Sequence, residues 1–249
     1  MKKFTKIALI VAAVMAGIGV ISLLVSSALG LSIDVFNDMV ENGKLGFKFI
    51  NSSIIRTEES KSSAEIDEKC ENLDIEYGAG VLKIYYDDVE QIQIKQKNVT
   101  RFESHVEDET LYIEGGKGAN SNSDATLEVI LPKNMMFEEV DFELGASKAD
   151  IVGLKADTMN VEVGAGEADI SSLDVKNLNA ETGVGKLSVE LIGKESDYSY
   201  SLECGIGAIQ MGNSSYGGLG TEKKITNPGA NRFVDVECGI GEIEIDFTE

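Results

Sequence analysis

Met159-Asn160-Val161-Glu162-Val163-Gly164-Ala165-Gly166-Glu167-Ala168-Asp169-Ile170 alternates apolar and polar side chains, with one change of phase beside its two glycines. A period of two belongs to a β-strand with one buried face. The apolar set Met159, Val161, Val163, Ala165, Ala168 and Ile170 places the phase step after Gly166. A step at glycine marks a bulge or bend, because glycine adopts backbone geometry that other residues avoid. The stretch is expected to form two short strands around a glycine bend.

The pattern recurs on both sides. It reads LNAETGVGKLSV over Leu178–Val189, VDFELGASKADI over Val140–Ile151 and LDIEYGAGVLKI over Leu73–Ile84. It returns as SYSLECGIGAIQM around Cys204 and as VDVECGIGEIEI over Val234–Ile245. The paired glycines, structural in this reading, are Gly78 and Gly80, Gly164 and Gly166, Gly183 and Gly185, Gly205 and Gly207, Gly239 and Gly241; after Gly145, Ser147 takes the second place. From Gly145 to Gly164, Gly183 and Gly205 the steps are 19, 19 and 22 residues. A unit this small cannot bury its own apolar face, whereas stacked units can. The expected fold is all-β: a right-handed β-solenoid, a β-helix-like stack of rungs of 19–22 residues. Its inner ladder should include Val161, Val163, Ile170, Ala180, Val189, Ile206 and Ile243. The alternative is an antiparallel sandwich of hairpins; regular glycine spacing without hairpin turn dipeptides favours the stack.

Between the first two units, Val89–Lys97, Val106–Glu114 and Thr126–Leu131 read as further strands and Gly115–Asp124 as a loop. Gly212–Arg232, holding Tyr216, Lys223 and Lys224, reads as a longer loop leaving the stack. A recognition loop is the sharper reading of that insertion.

Upstream, Lys2, Lys3 and Lys6 precede 25 residues, Ile7 to Leu31, without a charge. That exceeds the roughly 20 residues a membrane-spanning helix needs and the 7–15 of a signal-peptide core. Residues 1–31 are expected to be one transmembrane helix, a retained N-terminal membrane anchor. Ser26-Ser27-Ala28 and Ala28-Leu29-Gly30 leave a cleaved signal peptide as the alternative. The basic end should stay in the cytoplasm. That makes the chain a single-pass cell-membrane protein with an extracytoplasmic C-terminal domain. Residues 32–69 read as a juxtamembrane segment and linker, with 51–63 a flexible tether, and residues 70–249 as the repeat domain.

The chain carries 43 Asp and Glu against 22 Lys and Arg. Such acidity argues against nucleic acid, anionic lipid headgroups and anionic wall polymers, and is compatible with cations or cationic peptides. Three cysteines without a CxxC motif and one histidine, His105, exclude a zinc site of the usual Cys/His type.

A glutamate stands two residues before each first glycine: Glu76, Glu143, Glu162, Glu181, Glu203 and Glu237. By parity it points outward. Stacking in register would set neighbouring carboxylates about 4.8 Å apart. The bland reading is a solvated face that blocks sideways pairing. The sharper one makes Glu143, Glu162 and Glu181 a strip for a Ca²⁺-type cation or a cationic peptide. No EF-hand loop is present. The Gly-x-Gly motifs are structural, since no helix follows them and they fail the GxGxxG fingerprint. Cys204 and Cys238 share the inward parity of their units and should be neighbours, as two buried thiols or within disulfide reach. His105, between Glu103 and Glu107, reads as a solvated histidine rather than an acid–base group. A polysaccharide-cleaving β-helical enzyme would need bases among its carboxylates, and these rungs have few. No catalytic residue or cofactor is expected.

At these residues the chain resembles a known family. The LxIExGAGxLxI units, the strand end Ile130-Leu131-Pro132 and the terminal run Gly239-Ile240-Gly241-Glu242-Ile243-Glu244-Ile245-Asp246-Phe247 are similar to the bacterial β-strand-repeat domain of unknown function named "putative adhesin". The resemblance covers about Cys70 to Phe247, and the MKK-plus-apolar start is similar to membrane-anchored Gram-positive members. It implies a surface-exposed β-solenoid in an adhesin-like interaction or scaffold role, and carries no reaction from which catalytic residues could be transferred.

Overall fold

The computed structural model describes residues 62–99, 102–116 and 125–248. They are built from strands, with a single 3-10 turn at Glu195–Asp197. The strands are β1 (Ser62–Ile66), β2 (Asn72–Asp87), β3 (Ile92–Lys97), β4 (Glu103–Glu107), β5 (Thr110–Gly115), β6 (Thr126–Pro132) and β7 (Phe137–Val152). They continue as β8 (Lys155–Val163), β9 (Glu167–Thr182), β10 (Lys186–Ile192), β11 (Tyr198–Met211), β12 (Ser214–Ile225), β13 (Arg232–Cys238) and β14 (Glu242–Thr248). The expected membrane helix, most of the linker and the greater part of the Gly115–Asp124 loop lie outside the described residues. Among the described residues no helix is long and apolar enough to cross a membrane.

Each glycine-centred unit contributes one strand half before the bend and one after it, and each half joins its own ladder. The first ladder runs β5, β2, β7, β8, the second half of β9, β13 and β11, all parallel. The second runs β6, β2, β7, the first half of β9, β10, β14 and β11, again all parallel. The repeat units therefore stack in parallel rather than folding back as hairpins. Antiparallel strands close the ends: β4, β3 and β1 on one side, β12 on the other.

The core lies between the ladders. Leu73, Ile75 and Tyr77 are buried before the bend of β2, and Leu82 and Ile84 after it, so the inward parity changes across Gly78–Gly80. The expected ladder residues Val161, Val163, Ile170, Ala180, Val189 and Ile243 are buried, none above 4% exposed.

Several expectations are corrected. Ile206 is 59% exposed instead of buried. As the middle residue of Gly205-Ile206-Gly207 it rides on the outside of the bend, and Ile209 and Met211 fill the core in its place. Ala165 is exposed for the same reason, so the phase step falls before Gly166, between Val163 and Ala168. The stretch read as a loop after Gly212 is mostly strand: β12 pairs along most of β11, from Met211↔Ser214 to Tyr200↔Ile225. The single strand read over Val106–Glu114 is two, because Asp108 and Glu109 take left-handed backbone (φ 49° and 61°) and turn β4 back on β5. The first strand, β1, also lies within the stretch 32–69 read as linker.

The reason for glycine at the bends is corrected as well. Unusual backbone geometry was expected there, yet among the paired glycines only Gly80 has a positive φ, 127°. Gly164, Gly166, Gly183, Gly185, Gly205, Gly207, Gly239 and Gly241 are required by close approach of the next rung instead. At Gly185, in the bend between β9 and β10, an added Cβ would sit 2.4 Å from the Gly166 carbonyl oxygen and 2.9 Å from Val163 Cγ1. At Gly164 the fit is looser, with the Gly145 carbonyl oxygen at 3.3 Å. Apart from Gly164, stacked backbones leave no room for a side chain at these places, whatever conformation it would tolerate.

Stack order differs from chain order at both ends. The β5–β6 rung precedes β2 in the stack, though it follows β2 in the chain. The last rung of the chain, β13–β14, inserts between β9–β10 and β11. Arg232 fastens it there. Its guanidinium reaches Asp174 at 3.0 Å, donates to the Tyr198 hydroxyl at 2.8 Å and to the Ile192 carbonyl at 2.9 Å.

Candidate functional site

The glutamate row is longer than the repeats suggest. In cross-strand register stand Glu103, Glu114, Glu76, Glu143, Glu162, Glu181, Glu237, Glu203 and Glu222. Glu143, Glu162 and Glu181 occupy consecutive rungs, as the spacing predicts. The sequence reading missed Glu103, Glu114 and Glu222, which lie on strands without a glycine unit and join the row only through tertiary pairing. A second row, two residues earlier, holds Asp74, Asp141, Asn160, Asn179 and Asp235. Here amides separate carboxylates. Asn160 Nδ2 donates to Asp141 Oδ1 at 2.6 Å and to Glu139 Oε1 at 3.2 Å, and Asn179 Nδ2 donates to Asn160 Oδ1 at 2.7 Å.

Between the rows runs an open trough of about 430 Å³ lined by Asp74, Asp141, Glu143, Asn160, Glu162, Asn179, Glu181, Asp235 and Glu237. The charge is felt at Asp74, which lines the trough, and at Glu114 and Glu203 beyond it. Burial, followed by the charges of Asp141, Glu143 and Glu76, holds the Asp74 carboxyl above its ordinary range. Glu114 is raised by burial and then by Glu76 and Glu103, and Glu203 by burial and then by Glu237 and Glu222. Like charges and partial desolvation both disfavour the ionised form.

The opposite ladder shows a different choice at equivalent geometry. Its column past the bend reads Lys148, Glu167, Lys186, Glu242 in register. Lys148 pairs with Glu167 at 3.5 Å, and Lys186 with Glu242 at 3.5 Å and Glu244 at 2.9 Å. Lys95, Glu128, Lys83 and Asp150 continue the mixture in the next column. Opposite charges directly across a ladder stabilise it and like charges destabilise it. The Lys148 column alternates, although Asp150 faces Asp169 and Glu190 faces Asp246 farther along the same ladder, while the other face carries one row that sets carboxylate against carboxylate for nine strands.

Between the two faces, the outer residue of each bend forms a third column. In stack order it runs Ala79, Ala146, Ala165, Val184, Ile240, Ile206 and Leu219, tied by backbone bonds such as Ile240 N–H to Gly183 O (2.7 Å) and Ile206 N–H to Gly239 O (2.8 Å). It grows from methyl groups to large aliphatics. Val184, Ile240, Ile206 and Leu219 are 64, 57, 59 and 83% exposed.

Among the described residues, no three Asp, Glu, Cys or His side chains converge to hold a metal ion. A column offers each ion carboxylates from two neighbours, whereas Ca²⁺ takes six to eight oxygens. His105 is placed on β4, its ring stacked on Tyr112 with centroids 5.0 Å apart. Cys204 and Cys238 are cross-strand partners, both 3% exposed. The glycines of the bends are packing devices: a Cβ on Gly166 would sit 2.1 Å from the Ser147 carbonyl oxygen, and one on Gly207 would sit 2.2 Å from that of Gly241.

Residues 156–211 match the N-terminal domain of toast_rack, DUF2154, a domain of unknown function. A solved structure of a "putative cell adhesion protein" from Clostridium sporogenes is similar to 76% of this chain over 100% of its own, at 21% identity and a TM-score of 0.53. A "putative adhesin" from Bacteroides fragilis aligns over 75% of this chain and 97% of its own, at 13% identity and a TM-score of 0.34. No curated protein matches the chain. The domain match and the Clostridium structure bear out the resemblance to an adhesin-type repeat domain of unknown function, and the likeness is one of fold.

Proposed function

We propose that this chain is a membrane-anchored, extracytoplasmic and non-enzymatic interaction protein, adhesin-like in role, whose acidic face docks a basic protein or peptide. The carrying observation is the contrast between two columns on opposite faces. The Lys148–Glu167–Lys186–Glu242 column shows that this stack can neutralise a row, and the nine-glutamate row is left single-signed. Such a row concentrates negative potential along a line tens of ångströms long, which suits a polycation better than a point charge. The aliphatic column beside it gives a protein partner apolar contact as well. The finer description of the fold, a right-handed β-solenoid, rests on the parallel pairing of successive units and on the strong right-handed preference of such connections.

The test is calorimetric titration of the full chain in detergent with a lysine decamer and with a glutamine decamer. The lysine peptide should bind and lose about tenfold in affinity between low and physiological salt. Replacing Glu162, Glu181 and Glu237 together by Gln should weaken it further. Equal behaviour of the two peptides would refute the acidic face as the docking surface. The second reading, a specific divalent-cation site, predicts instead that calcium raises the melting temperature of the native chain and not of Glu162→Gln. Fractionation and N-terminal sequencing test the anchor: a mature protein beginning near Leu29 or Leu31 would show cleavage.

A further inference from the structure

Two of the three cysteines of the chain meet in the core, although β12 lies between them in sequence. Cys204 on β11 and Cys238 on β13 are directly opposed in a parallel pair, and both face inward at 3% exposure. Their column otherwise holds Gly115, Tyr77, Leu144, Val163, Thr182 and Thr221. Cysteine stands only at the two positions that the insertion of β13 beside β11 makes neighbours. In-register strands place such Cα atoms about 4.8 Å apart, inside the 4.4–6.8 Å range of disulfides.

We propose that Cys204 and Cys238 form a disulfide that staples the inserted rung to β11. One thiolate attacks a disulfide oxidant R–S–S–R, releases R–SH and leaves a mixed disulfide. The second thiolate displaces the remaining R–S⁻, which takes up a proton. The two cysteines give up two protons and two electrons, and the oxidant departs as two R–SH. The oxidant is a protein or small-molecule disulfide of the extracytoplasmic space, so in the cell the bond rests on the export proposed above. In the folded chain, burial raises the Cys238 thiol and disfavours thiolate. Exchange with the oxidant therefore belongs to folding, before the two thiols are buried. The finished bond is enclosed between the ladders, so reductant reaches it only as the stack opens on heating.

The full chain in detergent is refolded with glutathione disulfide, denatured, alkylated with iodoacetamide and weighed. One alkylation, at Cys70, together with a linked pair of peptides containing Cys204 and Cys238, supports the staple. Cys204→Ala should then show two alkylations and no link. Adding reductant should lower the melting temperature of the oxidised chain by about 5–10 °C and leave that of Cys204→Ala unchanged. Three alkylations after oxidation, a link to Cys70, or a linked chain that melts the same with and without reductant would each overturn the proposal. None of these results depends on whether the acidic face binds a basic partner.

Discussion

Glu181 and Glu237 are direct cross-strand partners, although 56 positions separate them in the chain. Glu203, which lies between them in sequence, pairs on the far side of Glu237. The C-terminal rung is thus an interior rung of the stack. Truncation before Arg232 would remove Val234, Val236, Cys238, Ile243 and Ile245 from the core. At about 1.5–3 kcal/mol for each buried side chain, the loss is on the order of 10 kcal/mol. It also leaves the β11–β12 pair without the strands that join it to the rest of the stack. Limited proteolysis should cut the truncated chain within 198–225, while the intact chain resists there.

The two kinds of bend glycine should respond differently to a methyl group. At Gly166 the added Cβ would lie 2.1 Å from the Ser147 carbonyl oxygen, whereas at Gly78 the nearest atom is 3.8 Å away. Gly166→Ala forces neighbouring rungs apart and should cost about 2–3 kcal/mol. Gly185→Ala, which meets the Gly166 carbonyl oxygen at 2.4 Å, belongs with it. Gly78→Ala should cost less than about 1 kcal/mol. Chemical denaturation of the three variants beside the parent checks the difference.

Thr182 is 1% exposed, and its hydroxyl has no hydrogen-bond partner among the described residues. Its cross-strand neighbour in the same column is Val163. Thr182→Val keeps the shape and removes a buried, unsatisfied polar group, so it should stabilise the fold by about 1 kcal/mol. A lowered melting temperature would mean that the hydroxyl is satisfied in solution.

Acidification should first stabilise and then destabilise this protein. Asp74, Glu114 and Glu203 are raised by burial and by neighbouring carboxylates. The folded state therefore binds their protons more tightly than the unfolded chain does. Their contribution is fully present below the ordinary values, 3.8 for Asp and 4.5 for Glu, and is lost as pH rises through the folded ones. Glu71, held by Lys69, and Glu244, held by Lys186, are lowered and act oppositely. Their stabilisation is present above 4.5 and is lost as pH falls through the folded values. The melting temperature should rise from neutrality down to the ordinary glutamate value, 4.5, and fall at lower pH. A monotonic fall from pH 7 downward would contradict the raised carboxyls.

The repeat, its strand character, the inward ladder and the outward glutamates were legible because they depend on local parity. A side chain two positions along a strand returns to the same face whatever that strand pairs with. Parity failed at the bends, where Ile206 and Ala165 look like core residues and ride outside. The bend glycines were legible as structural, but their reason was not: what excludes a side chain at Gly185 is the Gly166 backbone of the neighbouring rung, 19 residues away. Composition misled at Ser214–Ile225, whose glycines and lysines read as loop, because an end strand needs backbone pairing with β11 and few buried side chains.

The sequence by itself therefore determined the rung: its length, its bend, its buried face and its acidic face. Only the tertiary structure decided the order of the rungs. Every unit presents the same backbone edge and a similar apolar column, so local pattern does not select a neighbour. Order depends on which side chains fit across long separations, as when Arg232 meets Asp174 and Tyr198 and Cys238 slots between Thr182 and Cys204. That choice extended six repeated glutamates into a row of nine and brought two distant thiols face to face.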